Sequence, residues 1–468
     1  MMDGENAHFR HNRMKTLLPM VTASFLAASA SATAVPPAPA TGGSFAAFDA
    51  RARAGERLTV VFFGGSLTWS ANATEPNRTG FRGLVADWFE EEYPAAHFKF
   101  VDASIGGTGS LLGIFRLDRD VLSKKPDLVF LDFSCNDGWN RDEPLPNLQA
   151  ACAYESLLRR MTAAGVPVVQ MFFTFKEWVA GIAAGNPPGN FHRRLAPYMR
   201  LAEPYGTATG VVYDDSAIVS DIRSGKTSLE TLWPIDGGHP DDPGYRYFAD
   251  AGIAAYKRAV AEKLVGRIPA TPVYGTVEDL RRLDAKDLSA NAAAWKLANT
   301  YRTSLWYDGL SSRWMDGVMA FFGTERAPLQ VRAKANLFGV FGEADENALV
   351  AEIRSDGGKL ADFNGYHRAG KGRLFIWRHA VIPGWETGES AERTFEIDPV
   401  PNEETKGEFH VGAVCTATLA PSEGGLAYFG AQRPQATTPS AGDDIEKLDH
   451  ARGTVPDVAA RSGVRRGR

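Results

Sequence analysis

Apolar runs alternate with amphipathic stretches through the first half of the chain, a rhythm that predicts strands followed by helices. Five runs are nearly continuous in apolar residues, as strands of a parallel sheet covered on both faces should be. These strands are predicted at Leu58–Phe63, Phe98–Ala103, Leu128–Phe133, Val166–Phe175 and Gly210–Tyr213. Helices are predicted at Phe81–Tyr93, Leu111–Leu122, Leu148–Ala164, Phe191–Tyr205 and Tyr245–Leu264. The pattern indicates a three-layer, doubly wound α/β domain over residues 56–265, with its chemistry at the carboxyl ends of the strands.

The pattern of apolar and polar residues changes after this domain. Pro269, Pro272 and Gly275 mark a boundary, and we interpret residues 266–300 as a linker. Short alternating runs separated by turn residues then predict a β-sandwich-like accessory domain over residues 301–420. Residues 421–468 are rich in Gly, Pro, Ala and Thr and predict a flexible tail.

The amino terminus has the three-part pattern of a secretory signal peptide, predicted at residues 1–34 and followed by a linker at 35–55. A basic segment precedes an apolar run from Leu17 to Ala28, and small-residue triplets follow it. Met14 directly precedes Lys15, so either Met1 or Met14 is the start. The apolar run is shorter than the ~20 residues of a bilayer span, which disfavours the alternative of a membrane anchor. We therefore expect an exported protein, periplasmic or extracellular, without an integral membrane span after signal cleavage.

Composition narrows the classes of function. The 468 residues carry a net charge of −5, and the body of the chain has no long run of Lys or Arg that would attract nucleic acid. The three cysteines (Cys135, Cys152 and Cys415) are too few and too scattered for a disulfide scaffold or a paired metal site. A disulfide between Cys135 and Cys152 remains an alternative.

Two glycine-containing segments follow predicted strands. Ser66 comes directly after the first strand and is preceded by Gly64 and Gly65, so a tight turn can present its hydroxyl at the mouth of the sheet. The alternative is that Gly-Gly-Ser only forms a turn or caps a helix. The second strand leads into Ser104-Ile105-Gly106-Gly107-Thr108-Gly109, a loop whose backbone N–H groups can hold an anion. The loop fits neither a Walker lysine loop nor a dinucleotide fingerprint.

Two further polar pairs stand in the same domain. Asn136 and Asp137 follow the third strand, where they suit either a turn or a side-chain donor for an oxyanion. Asp236 lies three residues before His239, so its carboxylate can reach one imidazole nitrogen while the other faces a site. This cluster lacks a second histidine or a cysteine, and we predict neither a metal nor a cofactor.

These four segments, in this order and each at a strand end, resemble the SGNH superfamily of GDSL-type serine hydrolases. The resemblance covers roughly residues 56–265 and implies a flavodoxin-like three-layer α/β/α sandwich with a parallel five-stranded sheet. It implies that Ser66 is the nucleophile, with Asp236 and His239 as its triad partners. The N–H groups of Ser66 and Gly107 and the Asn136 amide would form the oxyanion hole, with Gly106 as the alternative glycine.

Three positions depart from the family pattern. Gly65 stands where many members have Asp, Asp102 where Asn is usual, and Ser134 where Gly is common. None of them removes a catalytic group, and Gly-Gly-Ser-Leu followed by Thr68 resembles the exported, carbohydrate-esterase branch. The Gly-x-Ser-x-Gly elbow of α/β-hydrolases is absent from the chain.

The resemblance implies acyl transfer from an ester without metal, and we expect the substrate to be an acylated, in particular acetylated, carbohydrate or another small ester. Four tryptophans near the predicted site could stack on sugar rings, although core packing is the favoured interpretation for each one taken singly: Trp69, Trp139, Trp178 and Trp233. A short-chain lipid or thioester is the second substrate hypothesis. An inactive carbohydrate-binding protein is the alternative from another class, disfavoured because every member of the four-part site is present.

Overall fold

The amino-terminal half of the protein is built on one parallel sheet. The structure, a computed structural model, describes residues 42–137, 147–186, 191–213, 216–300, 313–344, 347–365, 374–401 and 407–430. The strands of this sheet are β1 (Arg57–Gly64), β2 (His97–Ser104), β3 (Leu128–Asp132), β4 (Val168–Phe172) and β5 (Ala208–Val211). Their order is β2-β1-β3-β4-β5 and all neighbouring pairs are parallel. The order reverses at β1, so the crevice beside the end of β1 is where a ligand is expected.

Helices cover both faces of the sheet, which confirms the predicted doubly wound α/β fold. They are α1 (Phe45–Arg53), α2 (Ser66–Trp69), α3 (Phe81–Glu92), α4 (Ser110–Asp120), α5 (Leu148–Ala163), α6 (Lys176–Ala183), α7 (Phe191–Met199), α8 (Ala202–Tyr205), α9 (Ala217–Arg223), α10 (Leu229–Leu232) and α11 (Asp242–Ala261). All five predicted strands overlap observed ones, and β1 and β3 are almost wholly buried. Their continuous apolar character follows from this burial on both faces.

Two helical segments differ from the expectation. Helix α1 lies inside residues 35–55, which we interpreted as a linker, and it buries Phe45, Phe48 and Ala52 against the sheet domain. The run Phe191–Tyr205 is two helices, because Pro204 has no N–H to donate to the carbonyl four residues earlier. Helix α1 is only nine residues long and is rich in Ala and Arg. Its few large apolar residues are therefore too sparse to predict a helix from their spacing.

The carboxyl-terminal half is β-rich, and two antiparallel sheets make the predicted sandwich. Its strands are β6 (Gly275–Asp284), β7 (Trp295–Ala298), β8 (Val318–Phe321), β9 (Leu329–Ala335), β10 (Leu337–Ala344), β11 (Val350–Ser355), β12 (Gly358–Asn364), β13 (Leu374–Val381), β14 (Ala391–Pro399) and β15 (Phe409–Pro421), followed by helix α12 (Glu423–Gly430). One sheet has the order β13-β10-β15-β8-β7 with β6 also paired to β15, and the other has the order β12-β11-β14-β9. Phe338 of one sheet stacks on Phe395 of the other, with ring centroids 4.7 Å apart. Apolar faces from both sheets therefore share one core.

The predicted linker at 266–300 contributes structure to this domain, because β6 and β7 lie within it. The predicted flexible tail at 421–468 likewise begins with helix α12, and its remainder lies outside the described residues. Glu155 of α5 is fully buried and accepts hydrogen bonds from the backbone N–H groups of Val273, Tyr274 and Gly275 at 2.6–3.1 Å. It also accepts one from the Tyr205 hydroxyl at 2.6 Å. A single carboxylate thus satisfies four donors where the chain passes from the α/β domain to the sandwich. This makes the passage a fixed junction.

We expect Glu155→Ala to destabilise the protein by about 3 kcal/mol or more, since it leaves several buried donors without an acceptor. Thermal unfolding followed by circular dichroism measures the effect. Ser156→Ala is the matched control, because the Ser156 hydroxyl accepts only one junction hydrogen bond, from the Val277 N–H at 2.8 Å. Its expected cost is about 1 kcal/mol. Equal unfolding temperatures for the two variants would contradict the special role of Glu155.

The structure decides whether Cys135 and Cys152 form a disulfide and whether a described helix could cross a membrane. Cys135, Cys152 and Cys415 are all buried, free thiols, so the bridge between Cys135 and Cys152 is not formed. Burial raises the pKa of each thiol above its ordinary value. Across the described residues, no helix combines the length and the apolar character that a bilayer crossing requires.

Candidate active site

Ser66 lies at the first position of α2, directly beyond β1, and its side chain is largely covered by its surroundings, with 7% of the residue exposed. Gly64 and Gly65 form the turn between the strand and the helix. A Cβ on Gly64 would lie 2.4 Å from the Asp132 carbonyl oxygen, so the nucleophile turn and the end of β3 approach too closely for any other residue. A Cβ on Gly65 would lie 2.8 Å from Asn136 Oδ1, which leaves little room at this position for the aspartate of the Gly-Asp-Ser-Leu pattern.

His239 and Asp236 form a hydrogen-bonded series with Ser66. His239 Nε2 lies 2.8 Å from Ser66 Oγ, and His239 Nδ1 lies 3.2 Å from Asp236 Oδ2. The other carboxylate oxygen, Oδ1, accepts the backbone N–H groups of Gly238 and His239, each at 2.7 Å. The spacing of three residues therefore lets one aspartate hold both the loop backbone and the imidazole ring.

The charge state of Asp236 follows from these contacts. Burial by itself raises the pKa of a carboxyl group, but the hydrogen bonds and charge of His239, together with Asn72, outweigh it and lower the pKa of Asp236 to about 2. Asp236 is therefore ionised at every pH at which a histidine works as a base. An ionised Asp236 favours the imidazole tautomer that carries its proton on Nδ1 and leaves Nε2 free to accept.

Asn72 belongs to the same site and was not predicted from the sequence. Its Nδ2 donates to Asp236 Oδ2 at 2.9 Å and to the His239 carbonyl oxygen at 3.1 Å. Asn72 has a backbone φ of 73°, a left-handed conformation that asparagine tolerates better than most residues. The only signal in the sequence is an asparagine six residues after the nucleophile, and a loop carries asparagine for many other reasons.

The glycine loop and Asn136 come together at a cavity beside the nucleophile turn. Gly107 has a φ of 71°, while Gly106 is not in the left-handed region, and nothing lies within 4 Å of a Cβ placed on Gly107. Gly107, Gly109 and Asn136 line a cavity of about 870 Å³. Of the two predicted registers, Gly107 is the glycine that the cavity reaches. The Asn136 carboxamide lies against Gly65, next to Ser66.

The other wall of the cavity comes from the β domain, which the sequence did not suggest. It is formed by residues 360–362 of β12 and by residues 377–381 of β13, including Trp377, Arg378 and His379. The rings of Trp377 and His379 lie nearly parallel, with centroids 6.0 Å apart. The two domains therefore enclose the space next to the Asn136 amide together.

Two of the four tryptophans that are candidates for stacking on sugars pack in the core instead, as the favoured interpretation predicts. Trp178 and Trp233 are only 2% and 1% exposed, because both pack into the core of the α/β domain, and neither can stack on a sugar. Trp69 is half-buried. Trp139 lies outside the described residues. Trp377, in the β domain, lines the cavity.

A buried arginine joins the nucleophile turn to the glycine loop and to the β domain. Arg116 of α4 donates to the carbonyl oxygens of Gly64 and Ala103, the last residues before the two functional loops open. Its guanidinium lies over the rings of Phe63 and of Trp314, the latter from the β domain, at 4.6 and 5.7 Å from their centroids. Arg116 therefore fixes the ends of β1 and β2 relative to each other.

Comparison with known proteins agrees with this arrangement. The sheet order, with its reversal at β1, defines a doubly wound α/β fold, and the serine, glycine loop and asparagine lie at its strand ends with the histidine beside them. Residues 62–247 match the model of the GDSL-like lipase/acylhydrolase family. The matched segment lies within the α/β domain and contains Ser66, Gly107, Asn136, Asp236 and His239, so this part of the chain is similar to the GDSL-like hydrolases.

Relatives cover one or both domains. An acetylxylan esterase of Geobacillus stearothermophilus is 25% identical over 213 residues, which span 42% of this chain and 92% of that enzyme. The crystal structure of a two-domain esterase (CEX) active on acetylated mannans, co-crystallised with mannopentaose, is similar with a TM-score of 0.64 and 20% identity, covering 81% of this chain and 96% of that one. A second structure of that esterase has a TM-score of 0.61 at 20% identity, over 79% and 94% of the chains. Because both similarities cover about four fifths of this chain, the shared fold includes the β domain as well as the α/β domain.

Proposed function

We propose that the protein is an exported serine esterase that removes acyl groups, in particular acetyl groups, from a carbohydrate. The observation that carries the proposal is the series Ser66 Oγ, His239 Nε2, His239 Nδ1 and Asp236 Oδ2, with separations of 2.8 Å and 3.2 Å across its two hydrogen bonds. A serine hydroxyl is a weak nucleophile at neutral pH unless a base lies within hydrogen-bonding distance. Here such a base is present and oriented.

The reaction proceeds in two acyl transfers. His239 Nε2 takes the Ser66 proton as Oγ attacks the ester carbonyl, and the tetrahedral intermediate collapses to an acyl-serine when the sugar oxygen leaves with that proton. Water then attacks the acyl-serine with His239 again acting as the base, and Ser66 is released with a carboxylic acid. Asp236, held ionised, stabilises the imidazolium formed in each step. Backbone N–H groups at Ser66 and Gly107 and the Asn136 amide stabilise the oxyanion.

A carbohydrate is the substrate class that the cavity favours. The cavity of about 870 Å³ lies on the Asn136 side of the nucleophile turn, and Ser66 and His239 are not among its lining residues. It is therefore placed to hold the rest of a substrate beside the reacting ester, and its β-domain wall carries tryptophan, histidine and charged side chains. Aromatic faces and hydrogen-bonding groups suit a sugar chain. The similarity to esterases whose names place them on acetylated xylan and acetylated mannans supports the same class of substrate.

A panel of acetylated polysaccharides tests this proposal. The purified protein is incubated with acetylated mannan, xylan, pectin and peptidoglycan fragments, and released acetate is measured beside p-nitrophenyl acetate and a p-nitrophenyl ester of a medium-chain acid. We expect release from at least one acetylated glycan. Faster turnover of the longer acyl ester, without any release from the glycans, would favour the lipid or thioester alternative.

Export is tested by finding whether residues 1–34 are missing from the protein recovered outside the cytoplasm.

We expect Asn136→Ala to lower kcat for p-nitrophenyl acetate by roughly 100-fold or more, since it removes one oxyanion donor. Asn186→Ala is the matched control, because Asn186 is exposed at the end of α6, and its activity should equal that of the wild type. Unfolding temperatures report whether both variants are folded. A kcat for Asn136→Ala within 3-fold of the wild type would restrict Asn136 to a turn and remove it from the oxyanion hole.

A further inference from the structure

The two loops that supply the oxyanion donors are joined by one buried carboxylate. Asp137 follows Asn136 directly and is 5% exposed. Its Oδ1 accepts the Ser110 backbone N–H at 2.8 Å, and its Oδ2 accepts the Ser110 hydroxyl. Ser110 begins α4, three residues after Gly107. The donor loop after β3 and the donor loop after β2 are thus linked through one side chain.

The shape of the glycine loop is adapted to this link. A Cβ on Gly109 would lie 2.1 Å from Asp137 Oδ1, so the carboxylate occupies the space that a side chain at residue 109 would need. Gly109 is the N-cap of α4 and has no side chain to accept the first free N–H of the helix. Asp137 supplies that acceptor from the neighbouring loop.

The carboxylate is itself held from a third element. The hydroxyl of Tyr198, on α7, donates to Asp137 Oδ2 at 2.9 Å, and Tyr198 packs edge-on against Tyr154 of α5, with centroids 4.5 Å apart. Burial raises the pKa of Asp137 to about 6, and the hydrogen bonds from Ser110 and Tyr198 and the charge of Arg194, also on α7, oppose that rise. Asp137 accepts hydrogen bonds from both Ser110 groups and from Tyr198.

We propose that Asp137 is a positioning residue that holds the Gly107 N–H and the Asn136 amide at the mutual distance the oxyanion requires. The proposal rests on the esterase function proposed above. It gives the aspartate after Asn136 a role in catalysis without contact with the substrate. Because oxyanion donors act only when they are aimed at the developing charge, a shift of about 1 Å between the loops is sufficient to lower turnover about 100-fold.

The kinetic test uses Asp137→Ala and Asp137→Asn with p-nitrophenyl acetate. We expect Asp137→Ala to lower kcat by roughly 10- to 100-fold with KM changed less than about 3-fold, since the lost interactions serve the transition state. Asn at 137 keeps an oxygen for the Ser110 N–H, and the hydroxyls of Ser110 and Tyr198 can rotate to accept from its amide. Asp137→Asn should therefore stay within about 5-fold of the wild type. Active-site titration with a fluorophosphonate corrects each rate for the folded fraction.

Two measurements separate positioning from a general loss of structure. The inhibition constant of a boronic acid, which forms a tetrahedral adduct with the serine, should rise in Asp137→Ala by about the factor by which kcat falls. Amide hydrogen exchange over residues 106–112 should be faster in Asp137→Ala than in the wild type, a readout that does not depend on catalysis. Gly109→Ala should reproduce both effects, because its methyl group displaces the same carboxylate.

The outcomes are distinguishable. Unchanged kcat in Asp137→Ala, or equal kcat losses in the Asn and Ala variants, overturns the positioning role. Loss of activity confined to the unfolded fraction, with normal turnover per titrated site, overturns it as well. If Ser66→Ala is as active as the wild type, the esterase function itself has failed, whereas an inactive Ser66→Ala beside a fully active Asp137→Ala removes only this inference.

Discussion

Ser66→Ala is expected to lower kcat/KM for p-nitrophenyl acetate by roughly 10⁴-fold or more while leaving the unfolding temperature within a few degrees of the wild type. The variant loses the atom that forms the acyl-enzyme, and neither His239 nor the oxyanion donors can replace it. The fold should tolerate the change, because the Ser66 side chain has one hydrogen bond within the site, to His239, and is the smallest side chain that carries a hydroxyl.

The control for this variant is Ser123→Ala, which removes an exposed hydroxyl that donates to the Arg119 carbonyl oxygen at 2.6 Å. Its activity should equal that of the wild type. A fluorophosphonate should label the wild-type protein and the Ser123 variant at one serine and leave Ser66→Ala unlabelled. Equal esterase rates for Ser66→Ala and the wild type would show that hydrolysis comes from another group or from a contaminating enzyme.

The strands of the central sheet could be predicted because their burial leaves a signal in consecutive residues. A strand that is covered on both faces must be apolar at nearly every position, and β1 and β3 carry that pattern in consecutive residues. The site residues at the strand ends were predicted for a related reason, since each follows its strand directly. His239 was reached through its aspartate, whose spacing of three residues matches the two backbone hydrogen bonds that Asp236 accepts.

The missed features depend on contacts between distant parts of the chain. Asn72 donates to Asp236, which lies 164 residues away in the sequence. No residue near Asn72 in the sequence predicts this contact. The β-domain wall at residues 377–381 faces the oxyanion loops only because Glu155 and the cores of both domains fix the junction. Trp178 and Trp233 lie near the site in the sequence, but burial is a property of the packed structure that proximity to a motif does not reveal.

The β domain is joined to the reaction centre more closely than an appended module would be. Trp314 covers the guanidinium of Arg116, which holds the carbonyl oxygens of Gly64 and Ala103. Arg313 reaches the Asp102 carboxylate at 3.0 Å, and Arg82 approaches the same carboxylate at 3.4 Å. Asp102, the residue that departs from the asparagine of the family pattern, thus serves as the acid of an interdomain ion pair.

Asp236→Asn is expected to lower kcat/KM by roughly 10³- to 10⁴-fold, as the corresponding change does in serine proteases. The geometry determines how the new amide must lie. Oδ1 accepts two backbone N–H groups, so the amide oxygen has to take that position and the NH₂ group has to face His239 and Asn72. The NH₂ group then donates to Nδ1, which stabilises the imidazole with its proton on Nε2. That tautomer has no lone pair on Nε2 with which to take the Ser66 proton.

The wild-type dependence on pH provides a second check on Asp236. The pKa of about 2 lies below the ordinary value of 3.8, so the ionised form is favoured by folding. Its contribution to stability is present above about pH 4 and is lost as the pH falls towards 2. Protonation of Asp236 therefore plays no part in any loss of activity between pH 5 and 8, and the carboxylate is charged throughout that range.

Asp250→Asn provides the matched control, because it makes the same charge change at an exposed position on α11. Its kcat/KM should stay within 2-fold of the wild type from pH 5 to 9, while Asp236→Asn stays low throughout that range. The unfolding temperature of Asp236→Asn at pH 7 should fall only modestly, since the amide keeps the two backbone hydrogen bonds. If Asp236→Asn retained a tenth or more of wild-type kcat/KM, His239 would be oriented by other groups, with Asn72 and the loop backbone sufficient to hold it.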